Sequence, residues 1–143
     1  MDTSIAHIGI TVTDIEKICD FYIKYFGFTK DYALFFDEEF IRVSSSLYRE
    51  PDGVTSEMQM LRSPDGVLLE LFQFSNVEPS GPVVWHKTGY HHIAVRVDDL
   101  PALYERMKDD GIEFVVPMKV RQSNGRHWIF LKDPDGNFVE LWD

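Results

Sequence analysis

The sequence predicts an α+β fold built from two tandem βαβββ modules, and three observations carry that expectation. First, the stretch "AHIGITVTDIEKICDFYIKYFGF" from Ala6 can be laid over "HHIAVRVDDLPALYERMKDDGIEF" from His91, so that His7 falls on His92, Gly9 on Ala94 and Asp14 on Asp99. Second, each half carries one amphipathic helical pattern that runs into a glycine, Gly27 or Gly111. Third, each half closes on nearly the same hairpin, "SPDGVLLELF" from Ser63 and "DPDGNFVELW" from Asp133.

The elements follow in order. "HIGITV" alternates as a strand does, and Asp14 is placed to cap the helix whose Ile15, Ile18, Cys19, Tyr22 and Phe26 recur at spacings of three and four. In the second half "HIAVRV" is the matching strand, Asp98 or Asp99 the cap, and Leu100, Leu103, Tyr104 and Met107 the apolar stripe. Strands follow each glycine, and Pro-Asp-Gly supplies the chemistry of a tight reversal. The chain therefore reads as a single domain, 1–143, with modules near 1–76 and 88–143 joined by a linker, 77–87. The first module is longer between its helix and its hairpin (28–63 against 112–133), and the surplus includes "DEEFIRVSSSLYREPDGVT". With Phe35, Phe36, Phe40 and Tyr48 in or beside it, this insertion reads as a loop or short helix forming a lid rather than a solvated ornament.

Composition narrows the function. The chain has 143 residues, 44% of them hydrophobic, which is enough for an ordinary core. Its formal net charge of -10 repels phosphate backbones and anionic bilayers, so nucleic acid and membrane are not expected partners. The single cysteine, Cys19, has no partner for an internal disulfide and lies on the apolar stripe. "MDTSIAHIGI" lacks the pattern of a signal peptide, and no apolar run approaches the roughly 20 residues of a membrane span. A cytoplasmic protein acting on a small molecule is the expectation.

Strand alternation points to the chemistry. His7, Gly9 and Thr11 share one side of the first strand, and His92, Ala94 and Arg96 share one side of its repeat; the aliphatic sides are expected against the helices. Glu70 sits between Leu68 and Phe72 at two-residue spacing, and Glu140 between Phe138 and Trp142. A carboxylate among large apolar residues is costly unless paired, protonated or bound to a cation. A lone strand histidine is ordinarily structural and a lone terminal glutamate an edge charge. Here both recur in register at matching points of a duplication, which points to a divalent metal held by two nitrogens and two oxygens. Such a donor set suits Ni, Co, Mn, Fe or Zn without choosing among them.

These residues and motifs resemble the vicinal oxygen chelate superfamily, which includes glyoxalase I, methylmalonyl-CoA epimerase, extradiol dioxygenases, and fosfomycin- and bleomycin-resistance proteins. The resemblance covers nearly the whole chain. It implies a glyoxalase-like fold, in which paired modules form an open, curved mixed sheet around a metal, with His7, Glu70, His92 and Glu140 as ligands and one divalent ion per site. It also implies a homodimer. A His-Glu-His-Glu set looks more like glyoxalase I than like the dioxygenases, which generally lack a carboxylate at the position of Glu70, or the epimerases, which usually have Gln there. The implied activity is a metal-dependent lyase or isomerase moving a proton α to a carbonyl, with Glu140 as the catalytic base and Glu70 as the alternative or the opposing acid/base. An epimerase, a ring-cleaving dioxygenase and a drug-binding protein without chemistry remain the alternatives. Enzymes of this family that act on glutathione adducts often show an asparagine where this chain has Phe74, so glutathione is not supported. The sequence also shows no lysine- or arginine-rich patch to favour coenzyme A phosphates.

Further pocket residues follow from the same alternation. A simple hairpin across each Pro-Asp-Gly sets Gln59 beside Glu70, Ile129 opposite Glu140, and His127 opposite Trp142 and into the same cavity. Phe72, Phe74, Trp85 and Trp142 suggest a partly apolar pocket, and Arg96 either neutralises a substrate carboxylate or pairs with one of the chain's acids. His91, adjacent to His92, is expected to face the other way.

Overall fold

A computed structural model describes residues 3–143, and the chain divides into two compact units, Met1–Ser80 and Gly81–Asp143. The first unit contains β1 (His7–Thr11), α1 (Ile15–Phe26), β2 (Thr29–Phe36), α2 (Glu38–Val43), α3 (Ser45–Tyr48), β3 (Ser56–Arg62) and β4 (Leu68–Phe74). The second contains β5 (His92–Arg96), α4 (Leu100–Asp109), β6 (Lys119–Val120), β7 (His127–Lys132) and β8 (Phe138–Trp142). Each unit has its own four-stranded mixed sheet, ordered β1-β4-β3-β2 and β5-β8-β7-β6. In both, the first strand lies parallel to the last and the other pairings are antiparallel. The βαβββ order is thus written twice, and the insertion of the first unit forms two short helices.

Capping residues set the ends of the long helices. The Asp14 carboxylate accepts the Lys17 backbone N–H at 3.1 Å, and Gly27, at φ +69°, closes α1 by donating to the Ile23 carbonyl. In the second unit the cap is Asp99, which accepts from the Ala102 N–H at 2.9 Å, and Pro101 sits in the first turn, where no N–H is needed. This helix ends at Asp109, just short of Gly111, with Asp110 as its cap.

Helix α1 buries Ile15, Ile18, Cys19, Tyr22 and Phe26 and packs over β3 and β4, against the side of the sheet that carries Leu61, Leu69 and Leu71. Because the helix covers the middle strands, Ile8 on the outer strand β1 stays 37% exposed although it lies on the aliphatic side. Helix α4 buries Leu100 and Met107, and the second core is completed by Ile129, Leu131, Val139 and Leu141. Burial pushes the Cys19 thiol up to about 11, with Lys30 opposing, so it is held as a small apolar filler and not as a nucleophile. No helix among the described residues is long and apolar enough to cross a membrane.

Candidate functional site

Parallel pairing of the first and last strand of each unit builds the same constellation twice. Gly9 lies beside Glu70 and Ala94 beside Glu140. Two residues earlier on the same face of each first strand stands a histidine. His7 Nε2 is 3.3 Å from Glu70 Oε2, and His92 Nε2 is 3.4 Å from Glu140 Oε2. The small residue at the crossing leaves the glutamate room to lean toward the histidine. A Cβ added at Gly9 would stand 3.7 Å from Glu70 Oε2, an ordinary contact, and Ala94 already carries that atom in the second unit. Both carboxylates are largely shielded, at 20% and 18% side-chain exposure.

The pairs fit a divalent cation. Donors each about 2.1 Å from one ion stand roughly 3.0 Å apart at a right angle and roughly 3.4 Å apart at the tetrahedral angle. The two Nε2 to Oε2 distances fall in that range, and one imidazole nitrogen with one carboxylate oxygen is a donor combination common to Zn, Mn, Fe, Co and Ni. Within either unit, among the described residues, no third His, Cys, Asp or Glu joins a pair to complete a metal-binding group.

The surroundings of the two pairs differ. In the first unit, five rings form a closed circuit of contacts on the Glu70 side: Phe36 to Phe40 at 4.7 Å, Phe40 to Tyr48 at 6.4 Å, Tyr48 to Phe74 at 5.8 Å, Phe74 to Phe72 at 6.1 Å, and Phe72 to Phe36 at 6.0 Å. The short helices α2 and α3 supply Phe40 and Tyr48, so the insertion is bound to the sheet by aromatic contact. Burial, then the negative charge of Glu70, raises the Tyr48 phenol above its usual range, which puts that hydroxyl within the field of the carboxylate. Phe35, grouped with these rings by sequence, points elsewhere and is 63% exposed.

In the second unit the covering group comes from the linker. Trp85 stacks on His91 at 4.2 Å and on His92 at 5.3 Å, and meets Phe130 edge-on. His91 Nδ1 lies 2.7 Å from His92 Nδ1. His91 precedes the first residue of β5, so strand alternation does not govern it, and its ring lies alongside that of His92 instead of facing away. Because His92 turns Nε2 toward Glu140, its Nδ1 is the nitrogen left to bond His91, an arrangement that fixes ring orientation and tautomer. Arg121, just past β6, brings Nη2 to 4.0 Å from Glu140 Oε1. Sequence reading counted Trp85 among the pocket aromatics without placing it against a particular ring, and assigned no role to Arg121. A two-residue strand is too short for an alternation pattern, and nothing in a linker tryptophan announces which ring it will cover.

Two sequence expectations are corrected by register. Met60, not Gln59, lies beside Glu70, and Phe130, not Ile129, beside Glu140. The cause is the turn. Ser63 pairs with Val67 and Asp133 with Asn137, so each loop holds three residues, with Gly66 at φ +94° and Gly136 at φ +84° supplying the left-handed step. The added residue shifts the pairing by one, and a one-residue shift reverses the face of every side chain. Gln59 therefore turns to the helix side, where its Nε2 donates to the Tyr32 and Met60 carbonyls. His127 turns to the side of Ile129 and Leu131 and is tied to the chain's last residue, its N–H donating to Asp143 Oδ1 at 2.7 Å and its Nδ1 lying 2.8 Å from Oδ2. Burial acts to raise the Asp143 carboxyl, but these contacts with His127 outweigh it and hold the group low. Phe72, Arg96 and Trp142 do lie on the same faces as Glu70 and Glu140.

Comparison with known proteins agrees with this geometry. The chain is 33% identical to a lactoylglutathione lyase from Pseudomonas putida over 94% of its own length and 82% of that protein's. It is 26% identical to a lactoylglutathione lyase from Schizosaccharomyces pombe, again over 94% of this chain but spanning only 45% of that longer protein. Among solved structures, a glyoxalase family protein from Bacillus cereus superposes with a TM-score of 0.76 at 18% identity, covering 95% of this chain and 90% of that one, which is a likeness of fold. Residues 4–141 match the family model of the Glyoxalase/Bleomycin resistance protein/Dioxygenase superfamily, and with the duplicated βαβββ units and their paired histidines and glutamates this chain belongs to that superfamily.

Proposed function

We propose that this protein is a metal-dependent lyase or isomerase that moves a proton α to the carbonyl of a small oxygenated substrate. The observation that carries the reading is the recurrence of one His–Glu pair, at matching register and nearly equal separation, in both units. The lactoylglutathione lyase relatives support a lyase in particular. His7, Glu70, His92 and Glu140 are the proposed ligands, at one ion per chain whether each site is completed by modules of one chain or of two, and a divalent ion when bound supplies Lewis-acid polarisation of a substrate oxygen. Glu140 takes the α-proton at Oε1, the oxygen turned away from His92, and returns it to the neighbouring carbon. Glu70 serves as ligand and opposing acid/base. Trp85 and the hydrogen bond between His91 and His92 hold the His92 ring in place, and Trp85 keeps water from its face. Phe74 closes the aromatic circuit where glutathione-using enzymes often have an amide, so a smaller carbonyl compound is the proposed substrate.

The test is solvent-deuterium exchange into the α-carbon of a panel of 2-oxo acids, hemithioacetals and acyl-CoA thioesters, with Ni, Co, Mn, Fe or Zn added in turn. Exchange with at least one substrate and metal is expected. Absence of exchange across the panel, with binding retained, would leave a sequestering protein instead. We also propose a homodimer, on the exposed edge strands and the unburied Leu34 and Phe35. Sedimentation at micromolar concentration is expected to give the mass of two chains, and a single-chain mass would remove that part of the reading.

A further inference from the structure

On the Glu140 face of β5–β8 the one acid is Glu140, while Arg96, Lys119 and Lys132 lie in these strands and Arg121 and Arg126 directly adjoin them; the adjoining acids Asp133 and Asp143 fall on the opposite face, Asp143 against His127. That is a reversal of the chain as a whole, in which acids outnumber bases by 24 to 14. The sequence spreads these cations across 31 positions, 96 to 126, with Lys132 beyond, so no basic run is visible; the sheet collects them.

Register places them on the side of Glu140. Arg96 pairs with Trp142, Trp142 with Trp128, and Trp128 with Lys119, so one row across the sheet reads cation, tryptophan, tryptophan, cation. Lys119 Nζ lies 5.6 Å from the centre of the Trp128 ring, and the Arg126 guanidinium carbon 5.7 Å from the centre of the Trp142 ring. Arg121 pairs by its backbone with Arg126, beyond this row, yet its guanidinium comes back to within 4.0 Å of Glu140 Oε1. Its head thus lies beside the proposed base, while its side chain remains 52% exposed. Arg96 makes no ion pair among the described residues.

The Glu140 carboxylate is too little charge for so many cations, and at 4.0 Å Arg121 is a coulombic neighbour of it without a hydrogen bond. Guanidinium forks lying over aromatic faces present paired N–H donors suited to a planar carboxylate or to two oxygens of a phosphate or phosphonate. The geometry points to an oxyanion subsite, formed by Arg121, Arg126 and Lys119 over the Trp128–Trp142 row, that takes an acidic group of the substrate beside Glu140. This deepens the proposed function and rests on it for the role of Glu140. It makes the substrate an oxygenated carbonyl compound that also bears a carboxylate or phosphate-type anion, and it replaces the sequence expectation that no basic patch is present.

The chain's three tryptophans include the two of this row, so intrinsic fluorescence reports on the subsite without any turnover. The full chain, freed of metal by dialysis and held in 0.15 M NaCl so that distant charges are screened, is titrated in separate arms with malonate and with methylphosphonate. A saturable change is expected in at least one arm, and the tighter arm identifies the anion. Arg121→Gln is expected to weaken that binding by about tenfold or more, as loss of a charge-assisted contact does. Arg121→Lys should recover only part of it, since charge returns without the fork. Glu140→Gln should tighten anion binding by removing the competing carboxylate. Lys17→Gln, which removes the same charge from the exposed surface of α1, should change nothing, and thermal melting shows that each variant is folded. No saturation in either arm, equal binding by wild type and Arg121→Gln, or equal weakening by Lys17→Gln would overturn the subsite. Because none of these readouts needs catalysis, anion binding without deuterium exchange would retain the subsite and reject the proposed reaction.

Discussion

Glu140→Gln is expected to slow α-proton exchange by about 10² to 10⁴, the usual cost of losing a general base, while leaving the fold intact. The amide preserves the shape of a side chain that stands beside Ala94 and Phe130 on the sheet, and it keeps an oxygen that can face His92. What it removes is the basic site at Oε1 near Arg121. Glu70→Gln is expected to be milder, because in the proposed reaction Glu70 pairs with His7 mainly to hold metal, and an amide oxygen still donates to a cation. The comparison is made by isotope exchange at matched metal occupancy. If Glu140→Gln exchanges at nearly the wild-type rate and Glu70→Gln does not, the two carboxylates have the opposite roles.

His92→Ala is expected to abolish most metal binding, whereas His91→Ala should reduce affinity by about 10- to 100-fold, the range seen when the hydrogen-bond partner of a ligand is removed. The distinction follows from which nitrogen each ring offers. His92 presents Nε2 toward Glu140, and His91 reaches only the other nitrogen of the same ring. Elemental analysis after metal-replete preparation should find close to one divalent ion per wild-type chain, and competition with a chromogenic chelator gives the affinities of the variants. Equal loss in both variants would make His91 a ligand. No loss in His91→Ala would make its hydrogen bond to His92 irrelevant to metal affinity.

The sequence by itself determined the duplicated βαβββ order, the apolar faces of both long helices, the acids that cap them, and the placing of each histidine on the same side as its glutamate. All of these depend on local rules: period two for strands, period 3.6 for helices, and side-chain oxygens that satisfy a helix's first N–H groups. The tertiary structure decided whatever depended on one more residue or one more partner. A left-handed glycine lengthens each hairpin loop to three residues, which moves Gln59 and His127 off the faces that carry Glu70 and Glu140 and brings Met60 and Phe130 there. His91 lies beside His92 because it stands before the strand begins and is free of its alternation. Trp85 covers His92, the rings of an inserted segment close a circuit with Phe72 and Phe74, and cations distant in sequence collect around the Trp128–Trp142 row. These contacts join residues far apart along the chain, and only the pairing of strands into a sheet, which no local pattern encodes, brings them to one place.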